Sequence, residues 1–422
     1  MSDLSNLIEE VTIELADIRQ PPGMYDFSPT VMLGRDYVMN TSMGVVAGVE
    51  QHVTSLHSQL KAICDDPRFS SLGPNMAPDG FMVFTANSSG RMNVETLVVS
   101  VFAQAARRCY LLNPETSNEA YVATCLAAFE ELFRALAGED VTCLPLNGLP
   151  YLQLDPGQDV ATPWGTLRSA PRLGVISLLR WSPQTTCLLI GPERKVKTTF
   201  VVGSNPPFPE HAHYRPSAPV PLLLRLALAL SSPVGQRPIA PSEKWTTTLV
   251  PFGPFTGFQQ PDVPDQNRLG VNFTAAAPDL LHWAELISKA PPGALDLVMR
   301  MLISAISQRI DARDSLVDAV IAWEGLVGTD SELTYRVSAS LAKLIETDVG
   351  KRRAVRKELA NIYGLRSRLV HGRAVGFDKL SVAAENAIDY TIAALKCLYE
   401  MGEPWTTQTS EARSDALLLE LP

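Results

Sequence analysis

The apolar positions of this chain follow a helical period at both ends and lose it in the middle. Ser5 to Arg19 is amphipathic and is stopped by Pro21-Pro22, which predicts a first helix. Gly23 to Asn40 reads as loop with short strands. From Ser42 to Asp65, the residues Val45, Val49, Val53, Leu56, Leu60 and Ile63 form one stripe and predict a second helix. Gly80 to Thr85 reads as a strand. Val94 to Arg108 is apolar almost all round, so a buried helix is expected, with Asn93 placed to cap it. Thr116 and Glu119 have capping-box spacing ahead of a helix from Ala120 to Ala137, whose core face is Val122, Leu126, Phe129, Leu132, Phe133 and Leu136.

The middle is different because of proline. Of 32 prolines, 23 lie between Val141 and Gly293, which leaves little room for long helices. Short strands are predicted at Tyr151–Leu154, Gly165–Arg168, Cys187–Ile190 and Lys197–Val202, and a short buried helix at Pro221–Leu230. Ser231 to Asn267 is irregular. After Gly293 the next proline is Pro404. The helical stripes predict helices at 279–289, 294–310, 314–327, 331–347, 351–371 and 380–401, with Asp314 and Ser331 as N-caps. The fold class is therefore α+β: a mixed N-terminal region of helices and short antiparallel strands, then an all-α bundle. The expected division is 1–140, mainly helical; 141–275, strand-containing and either separate or joined to 1–140; 276–403, the bundle; and 404–422, a mobile C-terminal tail.

Composition narrows the functions. The 422 residues are 46% hydrophobic, enough for a sizeable core, and carry a net charge of −9, which disfavours a dedicated duplex-DNA binder. The charge is uneven. Lys351 to Arg373 holds eight basic residues against one acid, Glu358, and so forms a local anion-binding face or simply a solvated helix. The six cysteines have no zinc or redox spacing and suit reduced core thiols in the cytoplasm. Met1 to Gln20 lacks the apolar core of a signal peptide, and no stretch reads as a membrane span. His52 and His57 lie five apart and share no helix face, while His211 and His213 have no further ligands nearby, so no metal or other cofactor is expected. Trp164 is read as packing at a turn.

Arg366 sits on the apolar stripe Val355, Leu359, Ile362, then Leu369 or Val370, and a buried guanidinium needs a partner or a ligand. Glu324 lies on the stripe of Val317, Val320, Ile321 and Val327 and is the expected partner, either orienting Arg366 or tying two helices together. His371 precedes Gly372, a natural helix end. Five positions on a straight helix point about 140° apart. Arg366 and His371 therefore converge only if the helix ends or kinks near His371, or if a second protomer supplies one of them. Where they converge, the pair suits RNA cleavage. An imidazole can move the proton of a 2′-hydroxyl or a leaving oxygen, and a guanidinium can hold the phosphate and its developing charge.

Three stretches carry a family likeness: Asp314-Ser-Leu-Val-Asp318-Ala-Val-Ile-Ala-Trp-Glu324-Gly-Leu326, Ser340-Leu-Ala342-Lys-Leu344, and Ile362-Tyr363-Gly-Leu-Arg366-Ser367-Arg-Leu-Val-His371-Gly372. Together they resemble the Apea-like branch of the HEPN superfamily, over roughly the last third of the chain. The superfamily's motif is an arginine, four to six residues of which the first is often polar, then a histidine. Arg366, Ser367 and His371 fill it, with Ser367 where Asn is common. The resemblance implies a dimeric helical bundle and a metal-independent endoribonuclease that leaves a 2′,3′-cyclic phosphate. Arg366 and His371 would be catalytic, with Ser367 and Glu324 supporting them. Lys351, Arg352, Arg353, Arg356 and Arg368 would steer the RNA. The N-terminal region would answer to a trigger ligand or protein, in antiphage defence or toxin-like growth arrest. The alternative is a non-catalytic dimerisation or nucleotide-binding module, in which His371 bonds the last helix carbonyls. A third reading makes the N-terminal region a small-molecule or peptide receptor.

Overall fold

The computed structural model describes residues 2–16, 56–72, 80–85, 88–112, 117–150, 152–154, 159–169, 185–202, 220–232, 236, 238–243, 245–252, 273–275, 277–290, 293–328 and 333–420. Val45, Val49 and Val53 of the Ser42–Asp65 stripe, His52, the His211–His213 pair, Thr116 and Ser331 lie outside these residues. The helices are α1 (Ser2–Ala16), α2 (His57–Cys64), α3 (Val94–Leu112), α4 (Asn118–Leu136), α5 (Leu222–Leu230), α6 (Ala277–Lys289), α7 (Asp296–Ile303), α8 (Ala312–Val327), α9 (Leu333–Ile345), α10 (Val349–Val370), α11 (Phe377–Met401) and α12 (Ser410–Asp415). The strands are β1 (Phe81–Thr85), β2 (Ser88–Met92), β3 (Val141–Pro150), β4 (Leu152–Leu154), β5 (Val160–Thr162), β6 (Gly165–Ser169), β7 (Thr185–Ile190), β8 (Arg194–Val196), β9 (Thr199–Val202), β10 (Trp245–Leu249) and β11 (Phe273–Ala275). The fold class is α+β. No helix among the described residues is long and apolar enough to cross a membrane.

The chain forms two compact units that do not follow the linear divisions. The first is Met1–Gly148, Ala170–Pro219 and Trp245–Gln260; the second is Leu149–Ser169, Val220–Lys244 and Pro261–Pro422. Most of 141–260 thus groups with 1–140, while Leu149–Ser169 and Val220–Lys244 group with the helical bundle. The physical reason is burial: α5 hides every residue from Leu224 to Leu230 and packs on α6 and α7, while β4 pairs with β11. That last pair is parallel, unlike the antiparallel strands expected.

In the first unit, α1, α3 and α4 pack around Val11, Leu15, Phe102 and Phe129, the two rings meeting edge to face at 5.2 Å. Asn93 caps α3 through the Thr96 N–H at 2.7 Å. The cap of α4 is Ser117, which accepts from the Ala120 N–H. β1 lies between β2 and β9 in an antiparallel sheet, and β3 lies between β10 and β7. Glu131 of α4 accepts from the Thr142 N–H at 2.9 Å, which fixes the start of β3 to the helix.

The second unit is built around α8. Trp323 is fully buried, and its indole N–H donates to Thr391 Oγ1 at 3.0 Å and the Ala387 carbonyl at 3.2 Å, both on α11. Asp311, not Asp314, is the N-cap of α8, accepting from the Arg313 N–H. The expected helix at 294–310 is divided into a 3-10 turn, α7 and a π turn at Ser304–Gln308. Beyond α7, Ser304 and Arg309 both donate to the buried carboxylate of Asp318, each at 2.7 Å. Arg225 of α5 donates to the Ala240 carbonyl and to Ser307 Oγ at 2.7 Å. Trp164 is half-buried in the turn between β5 and β6.

The expected C-terminal tail is also corrected. Thr406, Ser414 and Leu417 are buried, and Arg413 is 0% exposed. The Arg413 guanidinium donates to the carbonyls of Leu326 at 2.7 Å, Gly325 at 3.0 Å, Trp405 at 3.3 Å and Gln408. Gly325 and Leu326 belong to the last turn of α8, whose carbonyls have no helical N–H to accept from. A cation is favoured at that end of a helix. Burial pushes the guanidinium down to about 10, so it is still charged at neutral pH.

Candidate functional site

The candidate residues cluster on α10. Asp348 starts this helix by accepting from the Gly350 N–H at 2.7 Å. Leu359, Ile362 and Tyr363 are its buried residues. Its end is a Schellman motif: Gly372 adopts φ +71°, its N–H donates to the Leu369 carbonyl, and the Arg373 N–H donates to the Arg368 carbonyl, both at 2.9 Å. The His371 N–H donates to the Ser367 carbonyl at 3.2 Å. Backbone N–H groups thus occupy the carbonyls of Ser367, Arg368 and Leu369, so the His371 side chain is not needed to close the helix. The imidazole is exposed.

Arg366 continues the buried stripe and meets Glu324 on α8. Its Nη2 lies 3.6 Å from Glu324 Oε2, and the two side chains are 22% and 26% exposed. The Arg366 Nε is buried with no hydrogen-bond partner among the described residues. The other carboxylate oxygen, Oε1, accepts from the Tyr363 hydroxyl at 2.6 Å. Burial first, then the adjacent Glu324 carboxylate, pushes the Tyr363 phenol well above its usual value against the opposing pull of Arg366. The phenol therefore remains a donor at any ordinary pH. Tyr363 is one turn before Arg366 on the same face. By its spacing it is a core residue, and only the position of Glu324 reveals its bond.

Arg366 and Glu324 are brought together. Arg366 and His371 of one chain are not aligned: α10 runs unbroken to Val370, so positions five apart leave it on different sides. Ser367 is half-buried. The five cations expected to steer RNA divide into two groups. Arg352 donates to the carbonyls of Glu346 and Thr347 at the end of α9, and Arg356 lies over the Tyr335 ring at 5.5 Å. Lys351, Arg353 and Arg368 are exposed. Glu358, the acid of this basic stretch, accepts from Asn386 at 3.0 Å and Tyr390 at 2.8 Å, joining α10 to α11. Among the described residues, no group of three or more His, Cys, Asp or Glu side chains is placed to hold a metal ion.

The arrangement offers one restrained guanidinium, one exposed imidazole at a helix end and, of the five cations expected to steer RNA, three that are exposed. A guanidinium can bind a phosphate with two parallel donors, and an imidazole can exchange protons near neutral pH. No protein-family model, curated protein or solved structure matches the chain.

Proposed function

We propose that this chain is a metal-independent endoribonuclease of the HEPN type. Arg366 binds the scissile phosphate and stabilises its transition-state charge. His371 exchanges the proton of the attacking 2′-hydroxyl or the leaving oxygen. Ser367 supports them, and Glu324 orients the guanidinium. Exposed Lys351, Arg353 and Arg368 attract the RNA backbone, while Arg352 donates to backbone carbonyls and Arg356 lies over the exposed Tyr335 ring. Because one chain turns Arg366 and His371 to different sides of α10, the reading calls for a homodimer in which a second copy completes the site. The N-terminal region then holds or releases the nuclease in response to a trigger, in the setting of antiphage defence or growth arrest in the cytoplasm.

The observation that carries the reading is His371. It is exposed beside a helix end where the carbonyls of Ser367, Arg368 and Leu369 already accept from backbone N–H groups, so capping those three does not account for it. The test is incubation of the purified full chain with RNA in EDTA, beside His371→Ala and Arg366→Ala. Chelator-resistant cleavage leaving 2′,3′-cyclic phosphate ends, lost in both variants, is expected. Equal background from all three removes catalysis from the reading.

The second reading, a non-catalytic dimerisation or nucleotide-binding module, is favoured by the Arg366–Glu324 pair. An ion pair linking α8 to α10 is also what a purely structural arginine makes. Under that reading Arg366→Met lowers the melting temperature and leaves RNA untouched.

A further inference from the structure

We infer that Tyr363 is a positioning residue that keeps Glu324 from closing on Arg366, and so leaves the guanidinium able to take a phosphate. This inference rests on the nuclease reading for its effect on turnover, but not for its effect on anion binding. The geometry is a division of one carboxylate. Oε1 is held by the Tyr363 hydroxyl at 2.6 Å, a short, charge-assisted bond. Oε2 faces Arg366 Nη2 at 3.6 Å, beyond direct hydrogen-bond range.

An unrestrained Arg–carboxylate pair prefers the bidentate fork, with two parallel N–H···O bonds. Here the fork is not made, although the partners sit on adjoining helices. The guanidinium keeps its charge balance through Glu324 at a distance, and its N–H groups are not consumed by the carboxylate. A guanidinium has five N–H donors in a fixed plane, and bidentate phosphate recognition uses two of them. Tyr363 therefore sets a compromise. Glu324 is near enough to orient Arg366 and offset its burial, and too occupied to neutralise it. Losing the phenol hydroxyl frees Oε1, and Glu324 then turns to claim the donors that a phosphate needs.

The prediction separates this role from simple packing. Tyr363→Phe keeps the ring and its burial and removes only the hydroxyl. The probe is a fluorescein-labelled single-stranded 2′-O-methyl RNA oligonucleotide, which carries phosphates and lacks the attacking hydroxyl. Affinity is measured for the wild-type chain, Tyr363→Phe, Glu324→Gln, the double variant and Arg366→Ala, with circular dichroism to verify folding. Tyr363→Phe is expected to weaken binding about tenfold, the equivalent of about 1.4 kcal/mol. Glu324→Gln in the Tyr363→Phe background is expected to restore it, because a neutral amide no longer competes for the guanidinium. On an unmodified RNA, the same pattern appears in kcat/KM.

Rescue by Glu324→Gln supports the inference, since a merely structural tyrosine gives additive losses. Additive losses, wild-type affinity in Tyr363→Phe, or binding that does not depend on Arg366 overturn it. If no variant cleaves but the binding pattern holds, the nuclease reading fails while the role of Tyr363 stands.

Discussion

Replacing Arg413 with alanine removes a fully buried cation from the end of α8. Four carbonyls lose their donor: Gly325, Leu326, Trp405 and Gln408. A hydrogen bond from a charged donor contributes about 1.5–3 kcal/mol, so at the lower end these four give about 6 kcal/mol. Burying the charge costs part of that. The fall of the guanidinium from its ordinary value to about 10 corresponds to about 3 kcal/mol at about 1.4 kcal/mol per tenfold. The buried methylene stem adds about 1–2 kcal/mol. The net expectation is a loss of about 3–5 kcal/mol, in the range for breaking a buried charged network. Arg413→Met keeps most of the volume and removes both the bonds and the burial cost, so it is expected to lose about 1–3 kcal/mol. Urea unfolding of the full chain gives the energies, and amide exchange over 318–328 gives the location. A loss below about 1 kcal/mol for Arg413→Ala, or unchanged exchange at the end of α8, refutes the assignment of this arginine as the clasp of the helix.

Burial pushes the Glu131 carboxyl up, but the bonds from Thr142 and the charge of Lys195 outweigh it and hold the group below 4.5. Its stabilisation is therefore present above that pH and lost as pH falls through the lowered value. Glu131→Gln should destabilise by about 1–2 kcal/mol at pH 7, and the difference should shrink in acid unfolding curves. Gly364 lies inside α10, where an added Cβ meets nothing within 4 Å, so Gly364→Ala should stabilise by about 0.5–1 kcal/mol in thermal melts. Gly328→Ala places its methyl 2.3 Å from the Glu324 carbonyl oxygen, and should destabilise by about 1–3 kcal/mol in the same melts. Trp323→Phe leaves Thr391 and the Ala387 carbonyl without the indole N–H, and should cost about 1–3 kcal/mol in urea unfolding.

The helices are legible where apolar spacing is regular. α8, α9, α10 and α11 lie close to their expected positions because Trp323, Leu341, Leu359 and Leu395 are on continuous buried stripes. The end of α10 is legible because Gly372 needs a positive φ that few other residues adopt. β3 is not, since Pro145 lies within it. The Pro145 carbonyl accepts from the Gly191 N–H at 2.9 Å, so this residue still takes part in the sheet through its acceptor. The cap of α8 falls on Asp311 rather than Asp314; either aspartate precedes an apolar run, and backbone conformation decides between them. At the candidate site, the Glu324–Arg366 pair follows from two charges on two buried stripes. The bond from Tyr363 does not, because a tyrosine on such a stripe reads equally well as core. Arg413 is hidden for a related reason: its partners on α8 are backbone carbonyls 87 and 88 positions away, and carbonyls leave no mark in a sequence.

The two units are threaded through one another in sequence, since the chain passes between them after Gly148, Ser169, Pro219, Lys244 and Gln260. On the ribosome, the first unit has to wait for Trp245–Gln260 after Gly148 has emerged, about 5–20 s at ordinary synthesis rates. By then the early pieces of the second are already waiting for their own later helices. A gene fragment starting near residue 276 would encode Ser307 without Arg225, and would lack both β4 and β11. The nascent chain must therefore carry two half-made cores at once, and no single uninterrupted stretch encodes the whole of either.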